Sequence, residues 1–485
     1  MSAAPMSAAP MSARVVVIGG GLAGITAAIA LASGGAQVTL LEARPRLGGA
    51  TSSFTRDGLV IDTGQHIYLG CCSAYRGLLG KLGMTAHAPL QDRFDVTVLA
   101  PGRPAARLRR TALPGPLHML PALARYPFLS WAERAAVSRP ALALRRLDPA
   151  DPALDAQRFG DWLAARGQSE RARRALWDLF TVSALNVAGD DASLALAATV
   201  VKTGLLGKNS AADIGVPARP LGELHGDAAA AALAKLGARV AVGTKVSGID
   251  VTADPGARYR VRLAHPSADQ PAQLDADAVV LAVPHAKAAP LVPPDALPPG
   301  TVAAWSGLGA SPIVNVHVIY DRPVTGLPFA AAIDSPVQWV FDRTHISGLA
   351  ASDRGRSQYL AISLSAADEY AEVPAARLKE QFVPALAELF APARQARITE
   401  FFVTRELRAT FRQVPGSGAL RPKSRTRLPG LVLAGAWTDT GWPDTMEGAV
   451  RSGLSAAIEL RHSLANPGHR TARLSSSAST IGVRQ

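Results

Sequence analysis

The chain has 485 residues, 48% hydrophobic and 18% charged, ample for a sizeable core and for more than one domain. Its 51 Lys+Arg against 38 Asp+Glu leave a formal net charge of +13, which arginine-rich composition, an anionic membrane or nucleic acid would each explain. No zinc-finger spacing or basic-aromatic motif is present, so no nucleic-acid partner is expected. The two cysteines, Cys71 and Cys72, are adjacent, which gives neither a disulfide framework nor a metal-ligand spacing, so no metal is expected and a reducing cytoplasm fits.

Residues 1–14 form a low-complexity repeat, and the uncharged run that follows, from Val15 to Leu41, is long enough to cross a bilayer. Gly19, Gly20, Gly21, Gly24, Gly34 and Gly35 divide it into pieces that a lipid-facing helix would not use, so no membrane span is expected. The β-branched residues 15–18 predict a buried strand, residues 22–32 a helix with a small-residue face, and residues 37–41 a second strand. This is a βαβ unit. Its turn reads Gly19-x-Gly21-x-x-Gly24: the first glycine allows a tight turn, the second lets backbone approach a pyrophosphate, and the third lets helix and strand touch. Leu22 and Ala23 open the helix, whose free N–H groups favour phosphate. Glu42 ends the second strand, where a carboxylate accepts both ribose hydroxyls of a dinucleotide.

NAD and FAD share that fingerprint. The continuation Glu42-Ala43-Arg44-Pro45-Arg46-Leu47-Gly48-Gly49 resembles the second signature of the amine oxidase and phytoene desaturase superfamily of FAD enzymes, which implies FAD as the cofactor. In that superfamily an arginine often follows the glycine pair; here Ala50-Thr51 follows, leaving one phosphate contact unassigned. The resemblance further implies that Gly64, Gln65 and His66 run beneath the flavin ring and that the backbone of Val246 meets the adenine. Residues 431–434 read as a buried strand, Gly435 permits close backbone approach, and Asp444 reads as an N-cap with Glu447 three residues on. Thr445 and Met446 then begin a helix, thinned by Gly448 and Ala449, whose N–H groups support negative charge at the flavin N1–C2=O locus. Ala436 stands where relatives carry an acid; either Asp439 compensates or cofactor affinity is lower. Trp437 and Trp442 either wall an apolar cavity or fill core.

The expected fold class is α/β, a Rossmann-like FAD-binding domain with an α+β substrate domain. The cofactor domain is discontinuous, over residues 12–101, 219–299 and 425–463. The substrate domain takes an Arg-rich, helix-patterned stretch, 102–218, and a strand-rich one, 300–424. Residues 464–485 lack a hydrophobic period and are expected to be disordered.

The stretches 62–66, 184–186, 338–343 and 437–441 together resemble the hydroxysqualene dehydroxylases of bacterial hopanoid pathways. That resemblance implies a reductive step in which FADH2 delivers hydride to C12 of hydroxysqualene, water leaves and squalene forms. The chemistry asks for a proton donor and a long apolar cavity. His66 is either the acid or a hydrogen-bonded structural histidine; Asp342 is either an acid of raised pKa or a partner of Arg343 or solvent. Trp339, Phe341, Trp437 and Trp442 are the candidate cavity aromatics. Rival readings are an amine oxidase, a carotenoid desaturase, and an isoprenoid carrier without chemistry; the intact Gly19, Gly21, Gly24 and Glu42 set favours a working cofactor site. The reductant of the flavin is unidentified. A thirty-carbon hydrocarbon is nearly insoluble, so peripheral docking on an anionic membrane, at its cytoplasmic face, is expected through residues 103–146. There Arg107, Arg109, Arg110, Arg125, Arg134, Arg139, Arg145 and Arg146 alternate with apolar residues, and Glu133 is the only acid. The bland alternative is a solvated arginine-rich helical face.

Overall fold

The computed structural model describes residues 13–254, 256–266, 271–352 and 354–465. Residues 1–12 of the repeat lie outside these residues, as does the tail expected to be disordered, apart from 464 and 465, which end the last helix. Strand β1 (Arg14–Ile18), helix α1 (Leu22–Ala32) and strand β2 (Gln37–Leu41) form where the apolar pattern predicts. Val15 and Val17 of β1 join one core cluster and Val16 and Ile18 another, as befits a strand covered on both faces.

β1 and β2 belong to a five-stranded parallel sheet whose order is Leu431–Leu433, Ala278–Leu281, β1, β2, Arg239–Ala241. Its strands therefore come from three separated stretches of chain. Helix α1 is buried almost all round because the last helix, Met446–Ala465, covers its outer side. The contact is backbone-close: a Cβ on Gly453 would lie 2.3 Å from the carbonyl oxygen of Ala23, and one on Gly24 would lie 1.9 Å from that of Gly19.

The second layer is a seven-stranded sheet in the order Ile398–Thr410, Ser311–Tyr320, Gln358–Leu364, Trp339–Asp342, Phe329–Ala332, Asp95–Ala100, Arg103–Arg109. The domain boundary expected at residue 101 falls inside the last hairpin of this sheet. The chain thus leaves the nucleotide layer before residue 95, because the strand Asp95–Ala100 pairs with Phe329–Ala332 on one edge and Arg103–Arg109 on the other. Helices between residues 120 and 204 pack over that core, which also reaches Val16 and Ile18 of β1. The two layers meet there. Among the described residues no helix is long and apolar enough to cross a membrane.

Candidate active site

The turn after β1 has the geometry its glycines predict. Gly19 sits at φ +109°, and a Cβ on it would lie 2.4 Å from the carbonyl oxygen of Ala282. Gly21 caps α1, and a Cβ there meets nothing nearer than Gly49 Cα at 3.9 Å, so the space before the helix N-terminus is open. The second glycine turn lies beside the first: the Gly48 N–H donates to Gly20 O (2.8 Å), and Gly49 adopts φ +59°. Thr51 closes that turn on itself, its N–H and Oγ1 both donating to Gly48 O (3.0 and 2.9 Å), so its hydroxyl does not stand in for the missing arginine. Ala43, Arg44 and Ala50 are exposed.

Glu42 is buried and held by backbone. Its Oε2 accepts from the Gly20 N–H (2.6 Å) and its Oε1 from the Arg44 N–H (2.8 Å). Each oxygen retains acceptor capacity for a ribose hydroxyl. The Glu42 carbonyl accepts from the Thr244 N–H (2.8 Å) and the Arg44 carbonyl from the Gly243 N–H (2.9 Å), which brings the turn before Val246 against the end of β2. Val246 opens the strand Val246–Val251 and is buried.

Between the two layers lies a cavity of about 280 Å³. One side is formed by Leu22, Gly48 and Thr51, by Gly64, Gln65 and His66, and by Ala436, Thr445, Met446 and Ala449. Three stretches of sequence expected to hold the flavin thus border one space. The opposite side presents Trp339 and Phe341 from the seven-stranded sheet, with Ala184, Ile313, Glu406, Ala409 and Thr410. Gln65 Oε1 and His66 Nδ1 are buried without a hydrogen-bond partner, and buried polar atoms are seldom left so unless a bound group completes them. The open space before Gly21 and these two orphan atoms fit a polar cofactor extending from Glu42 to the cavity.

Several expected roles are not those the structure gives. Trp437 does not border the cavity: its Nε1 donates to Val283 O (3.0 Å) and its ring meets Trp305 edge-on, centroids 4.7 Å apart. Gly435, at φ +136°, makes room for that indole, since a Cβ on it would lie 2.4 Å from Trp437 Nε1. Trp442 stacks under Arg451, whose guanidinium lies 4.5 Å from the ring centroid. Glu447 turns away from the cofactor region; its carboxylate accepts from the N–H groups of Ala74 (3.1 Å) and Tyr75 (2.8 Å) at the start of helix Ser73–Lys81, and also pairs with Arg451. Those unpaired N–H groups are what drew the acid there. The helix cap beside the cavity is Thr445, whose Oγ1 accepts from Gly448 N–H (3.1 Å), not Asp444. Asp439 is exposed and does not replace the acid absent at Ala436.

Asp342 does not reach the main cavity. It accepts from Thr344 N–H (2.9 Å) and Gln358 Nε2 (2.7 Å) and borders a separate cavity of about 330 Å³ with Gly326, Pro328 and His345. Its neighbour Arg343 pairs with Asp62 instead. His66 does border the main cavity, but burial pushes its imidazole below the ordinary value, which favours the neutral ring at pH 7. Asp444, which reads as an N-cap in the sequence, borders the cavity instead. Burial pushes its carboxyl up to about 6, while Phe411 N–H, donating to Oδ2 at 2.9 Å, and the Arg421 charge pull the other way. Its position directly before Thr445 and Met446 was the available signal.

The parallel sheet, paired glycine turns and terminal carboxylate define an α/β dinucleotide-binding protein whose cofactor site opens into a cavity between the two layers. Residues 22–460 match the flavin containing amine oxidoreductase family. The chain belongs to that family and is an FAD-dependent oxidoreductase. It is 31% identical to a hydroxysqualene dehydroxylase of Rhodopseudomonas palustris, over 92% of this chain and 98% of that protein. It is 25% identical to a 15-cis-phytoene desaturase of an Oncidium hybrid, over 92% of this chain and 77% of that protein. Wild-type putrescine oxidase bound to putrescine superposes with a TM-score of 0.68 at 19% identity, over 94% of this chain and all of that one, a likeness of fold.

Proposed function

We propose that this oxidoreductase removes the hydroxyl of hydroxysqualene reductively to give squalene. The similarity to the Rhodopseudomonas palustris dehydroxylase along nearly the whole of both chains carries the reading. The aromatic wall of Trp339 and Phe341 supports it, since a hydrocarbon chain gains from apolar surface removed from water. Bound in its reduced form, FAD supplies the hydride equivalent. The chain supplies the rest. Glu42 takes the ribose, the open turns at Gly21 and Gly49 admit the pyrophosphate, and the N–H groups at Thr445 and Met446 stabilise negative charge at the ring. Trp339 and Phe341 hold the substrate and exclude water from the reacting carbon.

A second reading, amine oxidation, is favoured by one observation: Glu406 borders the cavity, its carboxylate makes no hydrogen bond or ion pair among the described residues, and a free carboxylate attracts an ammonium group. Anaerobic assays separate the two. Reoxidation of the reduced protein by hydroxysqualene with squalene as product supports the first; bleaching of the oxidised flavin by an amine, with no squalene formed, replaces it with the second.

The same reading places the protein on an anionic membrane surface, where substrate and product reside. Ten large apolar side chains are exposed among the described residues, and Leu113, Leu117, Leu120, Trp131 and Leu142 are five of them. In the same stretch Arg125, Arg139, Arg145 and Arg146 are exposed, and their side chains make no hydrogen bond or ion pair among the described residues. Apolar side chains that enter the headgroup layer, next to uncommitted cations, suit a leaflet of anionic lipid.

A further inference from the structure

Three imidazole or carboxyl side chains border the main cavity: His66, Glu406 and Asp444. Their settings differ. The His66 imidazole is favoured in its neutral form by burial, which leaves it little acidic proton to give at pH 7. Glu406 lies on the long strand Ile398–Thr410, and no hydrogen bond fixes its carboxylate. Asp444 is fixed at two points. Its Oδ2 accepts from Phe411 N–H (2.9 Å), and its own N–H donates to Gln413 Oε1 (2.9 Å). Gln413 is anchored in turn through Nε2 to the carbonyl of Leu185 (2.8 Å). Oδ1 of Asp444 makes no hydrogen bond within the described residues, so one oxygen is held while the other is uncommitted. The residue immediately precedes Thr445 and Met446, which border the same cavity, and Ala409 and Thr410 flank it from the strand opposite.

We infer that Asp444 is the proton donor of this site, delivering its carboxyl proton to the oxygen that leaves hydroxysqualene. The inference rests on the dehydroxylase reading. The C–O bond breaks with its electron pair going to oxygen. That oxygen takes the Asp444 proton and departs as water. The carbon accepts a hydride equivalent from the reduced flavin, which is oxidised, and the Asp444 carboxylate regains a proton from solvent before the next turnover. An acid serves best when its pKa lies near the working pH. Burial holds the Asp444 carboxyl at about 6, raised from the ordinary carboxylate range, so a protonated fraction persists towards neutrality. The charged and titratable groups around it are Arg421, which opposes that rise, and His66 and Glu406 on the cavity wall; Asp439 and Asp155 act on Arg421 in turn.

The test uses the parent protein, Asp444→Asn and Asp444→Glu. In the cofactor-free proteins, stability is measured by urea unfolding between pH 4 and 7. A carboxyl with a raised folded pKa stabilises when protonated, so parent stability relative to Asp444→Asn falls as pH rises from about 4 through about 6. A flat difference overturns the inference. With photoreduced flavin under anaerobic conditions, hydroxysqualene should reoxidise Asp444→Asn about 10²–10⁴-fold more slowly than the parent, the usual range for a general acid. Substrate affinity should be unchanged, and Asp444→Glu should recover part of the rate. An acetate ester of hydroxysqualene, whose leaving group needs no proton, should react with Asp444→Asn and parent within a few-fold. Equal rates of parent and Asp444→Asn on hydroxysqualene itself overturn the role alone. A parent that hydroxysqualene does not reoxidise overturns the dehydroxylase reading and the role with it.

Discussion

Arg343 and Asp62 form a buried ion pair across the boundary between the two layers, 281 positions apart in the chain. Asp62 ends the strand that leads into the Gly64–Gln65–His66 turn, and its Oδ1 also accepts from Leu221 N–H (2.9 Å) and Ser53 Oγ (2.6 Å). Arg343 follows the strand that carries Trp339 and Phe341. The pair therefore sets the distance between the expected flavin turn and the aromatic wall. Removing one member leaves the other charged and buried, which costs about 3–5 kcal/mol. Arg343→Met should lower unfolding stability by about that much, and Arg343→Met with Asp62→Asn should recover a large part of it in urea titrations.

Glu42→Ala removes the acceptor expected to meet the ribose and also the bonds that Gly20 and Arg44 N–H donate. FAD affinity should fall by about 1.5–3 kcal/mol per charge-assisted bond lost, read by flavin fluorescence titration. Gly21→Ala gives a sharper result. Because a Cβ at Gly21 has open space, the variant should fold with parent-like stability yet bind FAD poorly. Parent-like affinity in Gly21→Ala would remove the pyrophosphate from that space.

His317 is fully buried, its Nδ1 with Tyr359 OH (2.7 Å), its Nε2 with Thr404 Oγ1 (2.9 Å), and burial pushes its value down to about 3. The folded value lies below the ordinary 6.5, so the unfolded chain binds more protons between the two. Stability is thus complete above about 6.5 and is lost as pH falls. At pH 5 the loss is on the order of 2 kcal/mol, from about 1.4 kcal/mol per pH unit. Comparing parent with His317→Gln at pH 7 and pH 5 isolates this from Asp178 and Asp444, whose raised values act in the opposite direction. The variant should show a smaller drop.

Flotation with anionic vesicles tests the membrane face. Arg107, Arg109 and Arg110 are poor positions to alter, since the first two pair with Asp95 and the third with the buried Asp213. Trp131→Ser with Leu120→Ser, and separately Arg139→Glu with Arg145→Glu and Arg146→Glu, should each reduce flotation while leaving flavin content intact. The parent should float at low salt and be partly released at high salt. A folded parent that stays at the bottom of the gradient removes the proposal.

The β1–α1–β2 unit was legible because its determinants are local: a β-branched run, glycines spaced within one turn, and a carboxylate at a strand end. The strand before Gly435 and the helix after Thr445 were legible for the same reason. What the sequence did not disclose was set by partners far along the chain. Trp437 in its loop reads equally as cavity wall or core, and Val283 and Trp305 claim it for the core. Glu447 reads as a capping acid of its own helix, yet it caps another one more than 370 positions earlier. Asp342 had Arg343 beside it, and Asp62 took that arginine. Strand alternation gives the face of a residue; it does not give the competitor that binds it.

The place of β1 within the parallel sheet has a consequence for how the protein is made. The Val-Val-Val-Ile edge of β1 pairs with Ala278–Leu281, which is synthesised roughly 260 positions later. At about 5–20 residues per second that is some ten to fifty seconds of translation. Throughout that interval one edge of an apolar strand lacks its hydrogen-bonding neighbour, the condition that invites pairing with another nascent chain. FAD is not expected to shorten it, because the helix from Met446, proposed to complete its cradle, emerges later still. Yield of this flavoprotein in a heterologous host should therefore track the supply of chaperones that hold strands apart before it tracks the supply of riboflavin.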